Sequence, residues 1–412
     1  MTTKYSSITQ EQDIPSDQTL DAFGRSRSSL TSILLDAQHH YGQMHQNFVA
    51  RIANAATVVD SPANSSLTLN VTASAGSKIT NRSRRVYYIA GQSQLISLTG
   101  NFYTTPVGIV KRIGYFDDDD GIFFENDSGI VSIVLRTSTS GTPSDANKIA
   151  QSQWNVDKMD GTGPSGVIVD WTKAQIFVID LQWLGVGRVR CYLNIDGQLY
   201  MVHQFLHANN VNAVYMQTAH LPCTYEIENV SSASASSMMQ ICSSISTEGN
   251  IDPFTQIRHA VSCDTTLVSL GNGVMTHMMS IRPAALFRGR TNKGMIIPLE
   301  IEISNTGNIT PLHFHVLEDS VLSTPTWVAV NNIDSMVEAS VGTAAGITTL
   351  GRSREEGYVL ASNKGGIPST KGDYSYKMQL DVNNVPDILT IAAEGVGGIT
   401  TAVCKISFLE IY

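Results

Sequence analysis

Between residues 188 and 205 the chain alternates apolar and polar residues on both sides of one dipeptide, Asp196-Gly197. Val189, Cys191, Leu193 and Ile195 share one face, and Arg188, Arg190, Tyr192 and Asn194 share the other. Asp-Gly is a strong two-residue hairpin signal, because both turn positions take positive φ. Residues 176–183 precede this pair across the turn Leu184-Gly185-Val186-Gly187, so the stretch reads as a three-strand meander. A slip of one residue would turn the apolar set to solvent, so the register is strongly specified. An all-β chain is expected: a jelly-roll or lectin-like β-sandwich with this meander at its centre.

Further strands are expected at 55–60, 66–73, 84–90, 94–99, 107–116, 122–125 and 129–137. They recur at intervals of roughly ten to fifteen residues with turn signals between them, the pattern of a sandwich or barrel. Residues 231–247 are rich in Ser, Ala and Met and read as a core strand of small side chains. Gly249-Asn-Ile-Asp-Pro-Phe marks a boundary. The expected organisation is an extended arm (1–45), a β-sandwich domain (46–248) and a second β-rich sandwich domain (249–412). Helix is expected only within the first 45 residues and near 283–287. The arm shows no period of two, yet Phe23, Leu30, Ile33, Leu34 and Leu35, with Arg25 among them, are anchors that a disordered tail lacks. It is expected to lie along the fold or to reach a neighbouring subunit, and so to carry assembly.

Only 15% of the 412 residues are charged, below the usual quarter. This suits long polar β-surfaces and large contacts between subunits. The net charge of −9 disfavours a nucleic-acid partner. No apolar run is long enough to span a membrane, and the polar start lacks the apolar core of a secretory signal. The five cysteines are odd in number and none has CxxC spacing, so buried thiols are expected rather than a disulfide framework or a zinc site.

Hard cations want clustered carboxylate oxygens, which makes Asp117, Asp119 and Asp120 the candidate calcium ligands. The loop misses the EF-hand template, since Gly121 at the sixth position would put Phe116 at the first. A solvated hairpin tip is the plainer reading. His313 and His315 share one strand face and could share a metal, but the sequence offers no evident third ligand, so a polar strand face is preferred. Glycoside hydrolysis needs two carboxylates flanking the bond. The run IDLQW supplies only Asp180 and the amide of Gln182, a pair that with Trp183 and Tyr192 could bind a sugar without cleaving it. There is no G-x-S-x-G, P-loop or HExxH, and Gly185-Val-Gly187 is no dinucleotide fingerprint. The basic residues Lys78, Arg82, Arg84 and Arg85 fit a solvated turn or subunit salt bridges better than nucleic acid.

The phrases DAFGRSR (21–27), RIGYFD (112–117), DGTGPSG (160–166) and above all QIFVIDLQWLGVGRVR (175–190), with HANN (207–210), resemble a family of virion structural proteins of tailed bacteriophages. The resemblance covers roughly residues 20–250. It implies a particle component at the capsid surface, head fibre, tail or baseplate, located in the virion, in contact with other virion proteins and without enzymatic activity. Homo-oligomers close by symmetry, and a trimer is expected. The alternative is a host-attachment module that binds a surface glycan. A polysaccharide-degrading enzyme is a third class, disfavoured by the missing second carboxylate.

Overall fold

The structure is a computed structural model and describes residues 31–44, 46–231, 234–249, 257–263, 267–307, 309–331, 333–342, 345–361, 369–371 and 376–412. The expected arm residues Phe23, Arg25 and Leu30 lie outside the described residues. The fold is all-β, with antiparallel sheets packed in pairs.

The first pair is built from residues 31–248. One sheet runs β13 (Gln198–Phe205), β12 (Val189–Ile195), β11 (Gln175–Leu181), β6 (Gln94–Asn101), β15 (Ser236–Glu248), β4 (Ser66–Val71), β3 (Thr57–Ser61), with β1 (Thr31–Gln38) also on β15. The facing sheet runs β10 (Ser144–Ala150), β9 (Ile130–Thr137), β8 (Gly121–Asp127), β7 (Ile109–Phe116), β14 (Cys223–Asn229), β5 (Lys78–Ser83), β2 (Phe48–Ala53). Leu69, Ile96, Leu98 and Phe177 from the first sheet meet Ile113, Tyr115, Ile122, Phe124 and Ile227 from the second in one core.

The second pair starts at residue 257. Its smaller sheet runs β16 (Ile257–Ser262), β30 (Thr400–Ile411), β21 (Met295–Asn305), β28 (Ser369–Lys371), with β17 (Val268–Leu270) also on β30. The larger runs β24 (Val328–Ala329), β25 (Val337–Val341), β18 (Thr276–Pro283), β29 (Leu389–Gly395), β22 (Leu312–Glu318), β27 (Arg352–Val359). A short hairpin, β19 (Leu286–Phe287) with β20 (Arg290–Thr291), and a two-stranded sheet of β23 (Val321–Ser323) with β26 (Gly346–Thr349) complete it. Ile301, Ile303 and Ile406 pack on Met279, Ile281, Phe314, Val316 and Ile391 in a separate core.

The meander forms in the expected register, with Asp196 and Gly197 both at positive φ (52° and 82°). Its place differs from expectation: β13 is an edge strand, and the strand joined to the most neighbours is β15, paired with β6, β4 and β1. That strand is 13 residues long, enough for β4 (along 236–240) and β1 (along 242–248) to line one edge while β6 lines the other. Near 283–287 the expected helix is replaced by the end of β18 and the β19–β20 hairpin. The Arg288-Gly289 turn, with φ of 51° and 78°, closes that hairpin.

Part of the expected arm is a strand of its own chain's sandwich. β1 pairs with β15 from Thr31↔Glu248 to Gln38↔Cys242, and a bulge falls between Ile33 and Leu35. The extra residue lets two consecutive leucines find apolar partners. Leu35 is buried in the first core, whereas Leu34 also touches the cluster between the two sandwiches. Ile33 points to solvent. Beyond β1, His39 Nε2 accepts from Gln240 Nε2 (2.9 Å), Gln240 Oε1 accepts from Asn81 (2.7 Å), and Asn81 Oδ1 accepts from Gln43 (3.2 Å). Of the cysteines, Cys191 and Cys223 are buried, and Cys263 faces Cys404 with the sulfurs 3.4 Å apart.

Candidate functional site

The two sandwiches meet along residues 84–89, RRVYYI. A strand was expected here, but only an isolated bridge, Val86 to Leu221, forms. The reason lies in what the segment is committed to. The Arg84 guanidinium donates to both oxygens of Asp387, one at 3.0 Å. The backbone N–H of Arg85 donates to Gln379 Oε1 (2.7 Å), and its guanidinium to Asp117 (2.6 Å). Tyr87 and Ile89 pack on Met295, Ile297, Leu299, Leu409 and Ile411, an apolar patch of the second sandwich. Burial pushes the Tyr87 phenol up to about 12. The basic residues therefore serve contacts within the chain, not a solvated turn.

The acidic loop lies against the same junction. It closes the β7–β8 hairpin at Gly121, whose φ of 144° suits glycine. Asp117 accepts the backbone N–H groups of Asp119 and Asp120 (2.8 Å each) and faces Arg85 (2.6 Å) and Lys293 (2.8 Å). Burial raises its carboxyl, but Arg85 and Lys293 more than reverse this and hold it well below the usual range. Asp118 faces Arg51 (2.7 Å) and Arg82 (3.0 Å), and Asp119 faces Lys293 (2.9 Å). Asp120 accepts from the backbone N–H and hydroxyl of Ser138 (3.0 Å each). This is neither a solvated tip nor a calcium cradle. Four protein cations already neutralise the loop, and a divalent ion would have to displace them, so the donor set does not fit calcium.

Beside Lys293 the junction opens into a cleft of about 740 Å³. Gln217 and His220 line one wall, and the β19–β20 hairpin supplies Phe287, Arg288 and Arg290 on the other, with Asn292 and Tyr412. The Phe287 and Tyr412 rings stand 5.1 Å apart, and the Arg288 guanidinium lies 5.0 Å over Phe287. Burial lowers His220 to about 4, so its imidazole is neutral near pH 7. Aromatic faces, guanidinium groups and amides in one concave site can stack on a ring, bind hydroxyls and hold an anion. None of these residues was singled out in the sequence, because they come from three separated segments.

The four residues expected to bind glycan are not brought together. Asp180 is on the outer face of its sheet, bound by the guanidinium of Arg190 on the next strand and by Ser93 Oγ (3.0 Å). Tyr192 shares that face, because Val178 is its register partner. Trp183 turns the other way, packing on the first core and edge-on to Tyr88 at 5.8 Å. Gln182 is exposed just past β11.

A pair of alternate carboxylates does exist, at Glu226 and Glu228 of β14, where the motif YEIEN signals it and was overlooked. Arg112 lies between Glu226 (2.6 Å) and Glu125 (2.7 Å), Lys78 contacts Glu226 (3.2 Å) and Glu228 (2.9 Å), and Lys148 contacts Glu125 (2.6 Å). Burial raises the Glu226 carboxyl, but Lys78 and Arg112 bring it down to about 2. A general acid needs the opposite, a carboxyl that keeps its proton near neutral pH.

No protein-family model matches the chain, and no curated protein does. Some solved structures resemble part of the chain at a distance. A protein of unknown function from Shewanella oneidensis MR-1 is 6% identical, covering 60% of this chain and 97% of its own, with a TM-score of 0.37. A carbohydrate esterase of the Shiga toxin-encoding bacteriophage phi24B is 9% identical, covering 54% and 100%, with a TM-score of 0.34. Peanut lectin is 9% identical, covering 54% and 98%, with a TM-score of 0.33. At this distance none of them bears on what this chain binds or does.

Proposed function

We propose that this chain is a non-enzymatic structural component of a bacteriophage virion, working as a homo-oligomer, a trimer, in contact with other particle proteins. The resemblance of residues 20–250 to virion structural proteins is its source. The observation that supports it is the use to which the charged groups are put. The carboxylates of the 117–120 loop, Asp180, and the Glu125–Glu226 pair are all taken up by Arg, Lys or backbone groups of the same chain. Charge in these groups ties strands and sandwiches together, as a load-carrying part requires. The segment before β1 is the assembly arm in this reading.

Light scattering on the full chain and on a chain beginning at Thr31 tests it. Cutting at residue 30 keeps β1, which the first core needs. An oligomeric full chain with a folded, monomeric truncation supports arm-driven assembly. If both are monomers, assembly through the arm is wrong.

The inter-sandwich cleft favours a second reading, attachment to a host surface glycan. Its aromatic pair and arginines suit an acidic sugar. Glycan-array binding that is lost in Tyr412→Ala and in Arg288→Ala would support this reading, and an array without hits would end it.

A further inference from the structure

We infer that His313, His315 and Glu356 form a binding site for a divalent transition-metal ion such as Zn²⁺ on the outer face of the second sandwich. β22 alternates cleanly: Leu312, Phe314 and Val316 are buried against the second core, so His313 and His315 both face outward. Their rings stand 4.3 Å apart. The third ligand comes from the neighbouring strand, where register sets Glu356 of β27 opposite His315. Glu356 Oε2 is 3.5 Å from His315 Nδ1, and one donor atom from each of the three residues lies within 4.8 Å of the other two. Bonds of about 2.0–2.2 Å put tetrahedral ligands roughly 3.4 Å apart. The contraction required is small, and Glu356, whose side chain is 63% exposed, has the freedom to supply it.

A second partner orients the first imidazole. Register on the other side places Glu394 of β29 opposite His313, with its Oε1 3.2 Å from His313 Nδ1. An Nδ1–H donated to this carboxylate leaves the Nε2 lone pair for a metal, the arrangement in which outer carboxylates raise ligand basicity and fix the tautomer. Tyr358, opposite His313 on β27, stacks on that ring at 4.4 Å and 12° and holds its plane. His277 stands apart from the cluster, since its two nitrogens are engaged by the Gly342 carbonyl (2.7 Å) and the Ser280 hydroxyl (2.9 Å). Two imidazoles and one carboxylate with a solvent-facing fourth position suit Zn²⁺ and its first-row neighbours, not calcium or magnesium.

Calorimetric titration of the tag-free full chain with Zn²⁺, together with the visible spectrum of the Co²⁺ complex, tests this site. The parent is expected to take up one ion per chain, with a tetrahedral cobalt spectrum. His313→Ala/His315→Ala and Glu356→Gln are expected to weaken binding by more than about 100-fold and to abolish that spectrum, and Glu394→Gln to weaken it by about tenfold. Metal-free melting curves and circular dichroism identify any variant that fails to fold, and Glu356→Gln, on an exposed side chain, keeps the test decisive. Absence of stoichiometric uptake by the parent, or unchanged uptake in the folded variants, overturns the site.

Discussion

Lys111 shows how a single side chain sets a property of the whole fold. It lies inside the first sandwich, and its ammonium donates to the carbonyls of Phe102 and Thr104 (3.0 Å for the latter). Burial without a carboxylate lowers its pKa to about 7, against about 10.4 for an unfolded lysine. Between these values the unfolded chain binds more protons than the folded one, so stability rises with pH. From about pH 7 to pH 8, below the ordinary cysteine pKa of about 8.5, Lys111 contributes a gain of about 1 kcal/mol. Denaturant midpoints measured across this range should rise in the parent and stay flatter in Lys111→Met. Equal slopes would show that the lysine is hydrated in the folded state. Nothing in the sequence distinguishes this lysine, because its polar character fits the alternation of any strand.

At the scale of the element, β1 is the strand whose role changed most between sequence and structure. Its apolar residues were legible, but the residues themselves cannot say whether a leucine docks on its own chain or on a neighbour. The bulge at Leu34 decides it, turning Leu35 into the first core and Leu34 toward the second sandwich. Leu35→Ala is therefore expected to cost about 2–4 kcal/mol in chemical denaturation, the range for a buried leucine, while Ile33→Ser, on the exposed side, costs little. If the two variants lost equal stability, β1 would not be docked as described. The ladder Lys148–Glu125–Arg112–Glu226–Lys78 is also a product of strand order. Its members come from β10, β8, β7, β14 and β5, and only the sheet brings them side by side.

Across the whole molecule, the junction couples the two sandwiches through buried ion pairs and a small apolar patch. Asp387 is 7% exposed, and Arg84 of the first sandwich is its cationic partner. Arg84→Ala leaves that carboxylate buried without a cation, an expected loss of about 3 kcal/mol. Asp387→Asn added to Arg84→Ala should recover part of it, because the uncompensated charge is gone. A single variant as stable as the parent, by calorimetry, would show that the pair is dispensable to the junction. Calcium and chelator are expected to give the same melting temperature, since Arg51, Arg82, Arg85 and Lys293 already hold the acidic loop. A rise with calcium would mean that the loop opens to bind it.

The sequence by itself determined the all-β class, the Asp196-Gly197 hairpin and a core strand of small residues within 231–247, found at Ser236–Glu248, because these rest on period-two alternation and turn chemistry within a few residues. It also pointed to His313 and His315, which are two positions apart on one strand. Tertiary structure alone decided what these residues meet: Glu356 beside the histidines, Lys293 and Arg85 on the acidic loop, and Leu34 between the sandwiches. Register and strand order join groups distant in the chain, and no local pattern encodes that choice. The acidic run could therefore be read as a metal ligand set until the protein's own cations were found against it.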